Sequence, residues 1–233
     1  MVTARTGILG RLSTLALAGL LAATSANAQD WSAEIGLVSD YRYRGLSLSD
    51  RKPALQASLT LEHDSGLYTE LWGSSLAKGS ASRAEVDATV GYAIDLTETL
   101  SADVSATYYA YPGAAEGNAL EITGTIEASR GPLTASVGLS LAPPQGGTRD
   151  ELGAERLNTY AFAGVQYALQ STPLTLRAAI GHERGPWDMA TQGGKWDWSV
   201  GAGAELRNVR VGLDLIGSNV VDETVAGSLA LTF

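Results

Sequence analysis

Apolar side chains return at every second position through run after run of this sequence. Trp31, Ala33, Ile35 and Leu37 alternate with Ser32, Glu34 and Gly36, and Leu55, Ala57, Leu59 and Leu61 alternate with Gln56, Ser58, Thr60 and Glu62. A period of two puts each set on one face of a strand. The same pattern predicts strands over 84–94, 100–109, 120–128, 133–141, 157–169, 174–180, 195–206, 209–215 and 224–233. Residues 67–76 are the least regular, since Tyr68 and Trp72 share a face with Glu70. Short breaker sequences such as His63-Asp64-Ser65-Gly66, Ser129-Arg130-Gly131-Pro132 and Arg207-Asn208 read as tight turns. Longer polar segments at 41–53, 78–83, 110–118, 143–155, 182–194 and 218–223 read as loops.

This is about twelve strands of about ten residues, joined alternately by turns and loops, as in an antiparallel up-and-down transmembrane β-barrel. A soluble sandwich also alternates, but two features favour the membrane. The apolar parity persists long enough for a tilted crossing. The opposite parity is small and acidic, which suits a wet lumen better than an exposed sheet surface that would carry lysines. The last strand, with Val225, Gly227, Leu229, Leu231 and Phe233 on one face, must pair on both edges, and in a bilayer only a closed barrel supplies both partners. Trp31, Tyr92, Tyr108, Tyr167, Trp196 and Phe233 are placed for interfacial girdles.

The beginning of the chain changes the picture. Arg5 and Arg11, the apolar run 15–23 and Ala26-Asn27-Ala28 predict a secretory signal peptide over residues 1–28, leaving a single barrel domain at 29–233. Its removal takes two of the 16 basic residues and no acids, so 14 face 25 acidic residues and the formal charge becomes −11. Such a charge disfavours nucleic acid. The absence of cysteine excludes disulfides, thiol catalysis and thiolate metal sites.

The inward parity carries Glu34, Glu70, Glu85, Asp87, Asp103, Glu121, Asp197 and Asp214, together with Glu62, Glu127 and Glu205, against Arg177, Lys195 and Arg210. With Asp40 at the end of the first strand, these are the predicted pore-lining residues. Their field would concentrate cations and repel anions.

Ser39-Asp40-Tyr41-Arg42-Tyr43-Arg44-Gly45, then Pro53-Ala54-Leu55-Gln56, Gly66-Leu67-Tyr68 and Leu71-Trp72-Gly73-Ser74, resemble the porin family labelled TorF, also described as the Gcw type. The resemblance is carried by residues 39–76 and implies an outer-membrane barrel with pore function; it supplies no substrate and no catalytic residue. Physically, Tyr41, Arg42, Tyr43 and Arg44 form a Tyr/Arg ladder at the outer end of the first strand. Folded inward, the arginines would meet Glu85, Asp87 and Asp40 as a constriction or anion site. Folded outward, they would anchor a loop or meet lipopolysaccharide phosphates.

The reading is a passive outer-membrane channel of a Gram-negative bacterium for small cationic or neutral solutes, with no cofactor and no metal. Its expected partners are membrane lipid, lipopolysaccharide and small solutes, with homo-oligomerisation left open. A structural or adhesive barrel is the first alternative. A hydrolase is the second, resting on His182 near Glu183, Asp188 or Asp197.

Overall fold

The alternation becomes a ring of twelve strands. In this computed structural model the described residues are 29–190 and 193–233, so the expected signal peptide lies outside them. The wall consists of β1 (Gln29–Val38), β4 (Ala54–His63), β5 (Leu67–Ser75), β6 (Ala84–Thr97), β7 (Leu100–Ala110), β8 (Ala119–Arg130), β9 (Leu133–Ala142), β10 (Asn158–Ala168), β11 (Leu174–Arg184), β12 (Lys195–Leu206), β13 (Val209–Ser218) and β14 (Thr224–Thr232). Each strand is antiparallel to its sequence neighbour within the wall, and β1 pairs with β14 to close the barrel. Closure gives every wall strand two partners, which removes the exposed edges that a bilayer does not tolerate. The closing seam runs from Glu34↔Thr232 to Val38↔Ser228 and is extended by the Phe233 N–H donating to the Ala33 carbonyl at 2.9 Å.

The two parities separate as the period requires. Ile35, Leu37, Leu59, Leu71, Val90, Val137, Val200, Leu213 and Leu229 point outward and are exposed, forming an apolar exterior. Trp31, Tyr92, Tyr108, Tyr167, Trp196 and Phe233 are exposed with them. In the irregular strand β5, Tyr68 and Trp72 are both buried, so these aromatics belong to the interior. Tyr68 fits because Gly91 is opposite it on β6, where an added Cβ would stand 2.5 Å from Tyr68 Cε1.

One element departs from expectation. Strand β1 ends at Val38, and the Tyr/Arg ladder does not continue it. Residues 42–47 form a separate hairpin of β2 (Arg42–Tyr43) and β3 (Leu46–Ser47). Its two-residue turn has Arg44 at φ 48° and Gly45 at φ 83°, the paired left-handed geometry of a tight hairpin. A Cβ on Gly45 would lie 3.0 Å from the Gly217 carbonyl oxygen and 3.1 Å from Asp197 Cβ. The hairpin tip is therefore pressed against the inner wall at β12 and β13, inside the loop end of the barrel.

Candidate functional site: the barrel interior and its mouth

The hairpin is held in the mouth by three sets of contacts. Tyr41 is buried beside Trp72, with ring centroids 5.4 Å apart, and its hydroxyl donates to Glu85 at 2.7 Å. Val38, Ala54, Tyr41 and Trp72 form a small apolar cluster under it. Arg42 donates to Asp40 at 2.7 Å and to the Gly45 carbonyl at 2.8 Å, while Asp40 accepts from Ser47 and Ser49. These contacts close the loop upon itself.

Arg44 reaches two strands of the wall. Its Nη2 donates to both oxygens of Glu121 on β8, at 2.8 and 2.7 Å, and its Nη1 donates to Glu183 on β11 at 2.6 Å. The guanidinium is centred 4.0 Å from the Tyr160 ring, 4.7 Å from Tyr43 and 6.0 Å from Trp187. A planar cation between ring faces, with one terminal nitrogen on each of two carboxylates, combines charge-assisted hydrogen bonds with cation–π attraction. Glu183 also pairs with Lys195 at 2.6 Å, and neither side chain is exposed at all (0 %). Tyr109 donates to Glu121 at 2.9 Å, and Tyr160 donates to Asp197 at 3.0 Å. Trp187 is fixed by its indole N–H donating to the Gly147 carbonyl at 2.7 Å.

Burial raises the Tyr41 and Tyr43 hydroxyls well above their ordinary pKa. The Glu85 and Asp87 charges add to the rise at Tyr41, and Arg44 partly offsets it at Tyr43. Both phenols thus remain protonated donors.

These contacts correct parts of the sequence reading. The arginines fold inward, but Arg44 meets Glu121 and Glu183 rather than Glu85 or Asp87, and Tyr41 takes Glu85. Arg42 and Arg44, 7 % and 4 % exposed, are turned away from any lipopolysaccharide phosphate. His182 packs at a tilt against the outward Trp196, ring centroids 4.4 Å apart, and contacts the Gly193 carbonyl at 2.9 Å, on the opposite face of the wall from Glu183 and Asp197. The hydrolase arrangement is therefore not assembled with either carboxylate.

Below the mouth, Glu34, Glu70, Asp103, Arg177, Arg210 and Asp214 face inward. Arg177 donates to Asp214 from Nε at 2.7 Å, and Arg210 lies 3.6 Å from Glu34. Arg177 lies flat on the wall because Gly203 and Gly212 are beneath it, where added Cβ atoms would come within 2.6 and 2.8 Å of its guanidinium nitrogens. Tyr68 donates to Asp103 at 3.0 Å, and Thr60 donates to Glu70 at 3.3 Å. The charges are unevenly distributed. Strands β5 to β8 carry Glu70, Glu85, Asp87, Asp103, Glu121 and Glu127, and among the described residues they place no Lys or Arg on the inner face. The inward basic side chains of the wall lie on β11 to β13, each beside a carboxylate.

A closed twelve-strand antiparallel barrel, apolar outside and charged within, has the fold of outer-membrane porins. The chain belongs to the Gcw_chp family, described as a bacterial protein of unknown function, whose model matches residues 22–231. Among solved structures it is similar to a KdgM porin, with TM-score 0.61 and 7 % identity over 87 % of this chain and 98 % of that one. It is also similar to the NanC porin, with TM-score 0.55 and 11 % identity over 87 % and 97 % of the two chains. The COG4313 outer membrane channel from Pseudomonas putida F1 matches with TM-score 0.52 and 12 % identity over 97 % and 99 %. At such identities the likeness is one of fold. No curated protein matches the sequence.

Proposed function

We propose that this protein is a passive outer-membrane channel for small solutes, preferring cationic or neutral ones, and narrowed at its loop end by the 42–47 hairpin. The porin role implied by the TorF resemblance is part of this reading, as is the pore-lining role of the inward residues named above. The observation that carries it is the acidic inner wall of β5 to β8. In a water-filled lumen of low-dielectric walls, such an excess raises the local concentration of cations and excludes anions. A second KdgM structure is described as a complex with disordered oligogalacturonate, a polyanion. The acidic wall here argues against a cargo of that charge. The apolar exterior fits lipid, the aromatic residues fit its interfaces, and the loop end would face outward with lipopolysaccharide around it.

Planar-bilayer recording of the purified barrel across a KCl gradient tests the reading. Discrete conductance with a reversal potential of cation-selective sign is expected, and neutralising Asp103 and Glu127 together should shift that potential toward zero. Absence of conductance would leave a structural barrel, and an anion-selective potential would overturn the electrostatic argument.

A further inference from the structure

We propose that the mouth contains a guanidinium-binding site on the barrel wall, occupied in the resting protein by the chain's own Arg44. Remove the hairpin in thought, and what remains is a receptor built from separate strands. Glu121 from β8 offers both carboxylate oxygens in one plane, and Glu183 from β11 offers a third oxygen from another side. Tyr160 supplies a ring face 4.0 Å from the cation centre, and Trp187 stands 6.0 Å away.

The wall holds these groups independently of Arg44. Tyr109 donates to Glu121, Lys195 and Asn158 hold Glu183, Tyr160 is bonded to Asp197, and Trp187 is bonded to Gly147. The chemistry selects a planar, delocalised cation with several donors in a fork, which a guanidinium provides and an ammonium does not.

Arg44 fills this site as a tethered ligand. It is delivered by the left-handed Arg44-Gly45 turn at the tip of a hairpin that is anchored at its base by Tyr41, which bonds Glu85 and packs on Trp72. Arg44 Nε has no hydrogen-bond partner, so the receptor engages the guanidinium through its two terminal nitrogens. A solute with a free guanidinium or amidinium competes for the same oxygens and ring, and displacing Arg44 removes the ion pairs that tie the hairpin tip to β8 and β11. Guanidino compounds are therefore the solute class this mouth would recognise. This transport aspect rests on the channel reading, whereas the binding site does not.

The test uses the full barrel in detergent micelles with methylguanidinium chloride, sodium chloride being exchanged to keep ionic strength constant. Binding is read by calorimetry and by tryptophan fluorescence, taken as the difference from the same protein carrying Trp187→Phe. Arg44→Ala empties the site, and its folding is checked by the heat-dependent shift of barrel mobility in gels. Arg44→Gln serves as the second variant should the alanine protein fail to fold.

Against a tethered competitor at an effective concentration on the order of millimolar, the wild type should need at least tenfold more methylguanidinium than Arg44→Ala. Methylammonium should bind the emptied site at least tenfold more weakly, and adding Glu121→Gln should abolish the preference. Equal binding of the two cations, or no binding to either folded Arg44 variant, would overturn the proposal. Binding without any bilayer conductance would retain the site and sink the channel. Conductance without guanidinium binding would do the reverse.

Discussion

Tyr160 links the wall to Arg44, and its position depends on Gly181. A Cβ added at Gly181 would stand 2.5 Å from Tyr160 Cε2 and closer still to Cζ and the hydroxyl, so Gly181→Ala must lift the ring off the wall. Besides stacking on Phe162 with ring centroids 5.7 Å apart, Tyr160 makes two polar interactions, a hydrogen bond to the Asp197 carboxylate at 3.0 Å and the face presented to Arg44 at 4.0 Å. A hydrogen bond to a charged group contributes about 1.5–3 kcal/mol, and a cation–π contact about 0.5–2 kcal/mol. Alanine in a strand recovers about 0.5–1 kcal/mol over glycine, so the net loss should be roughly 1–4 kcal/mol. Reversible urea unfolding in micelles, followed by tryptophan fluorescence, measures it. The control is Gly124→Ala, where an added Cβ meets nothing within 4 Å and stability should hold or rise slightly. If Gly181→Ala were as stable as Gly124→Ala, the ring would not be fixed by the glycine beneath it, and the account of the mouth would fail.

Other perturbations follow from the same contacts. Lys195→Met strips one cation from the unexposed Glu183 but leaves Arg44 beside it, so the cost should be about 1–3 kcal/mol, below that of a fully broken buried pair. Adding Glu183→Gln should recover part of it in the same unfolding assay. Leu213→Arg puts a charge on the exposed apolar face midway along β13 and should cost about 2–4 kcal/mol when unfolding is measured from lipid, but far less if that face met water. Asp150 in the β9–β10 loop is held below its ordinary pKa by the Ala154 N–H and by Arg156. A depressed carboxyl supports the loop fully above about pH 4 and ceases to as pH falls through its lowered value. NMR titration of the Ala154 amide should show that transition, and Asp150→Asn should remove it.

The walls were legible because a period of two is a local property. Every residue from Trp31 to Leu37 announces its face without reference to the rest of the chain, and the twelve strands and their inward carboxylates follow. The mouth was not legible in the same way. Arg42 to Asp40, two residues apart, lies within one of the two readings the sequence allows; Arg44 to Glu121 and Glu183 spans 77 and 139 residues, and alternation gives a face but no partner. Glu183 was hidden for a further reason. His182-Glu183 reads as the start of a loop, yet β11 runs on to Arg184 because β12 pairs with it as far as Glu183↔Lys195. The hairpin did leave a signal, a glycine directly after Arg44, the residue a tight two-residue turn favours at its second position.

The separation of Arg44 from its partners also sets an order of events during assembly. Contacts that close so long a stretch of chain carry a larger loop-closure cost than the pairings of neighbouring strands. Glu121 and Glu183 stand at their final separation only when β8 and β11 occupy their places in the ring. The hairpin, made early in the sequence, is therefore among the last parts to settle. A barrel that has misregistered anywhere between those two strands would present its carboxylates at the wrong distance and leave the arginine unseated. A protease that cuts beside Arg44 would then discriminate finished barrels from faulty ones, since only the finished barrel buries its target.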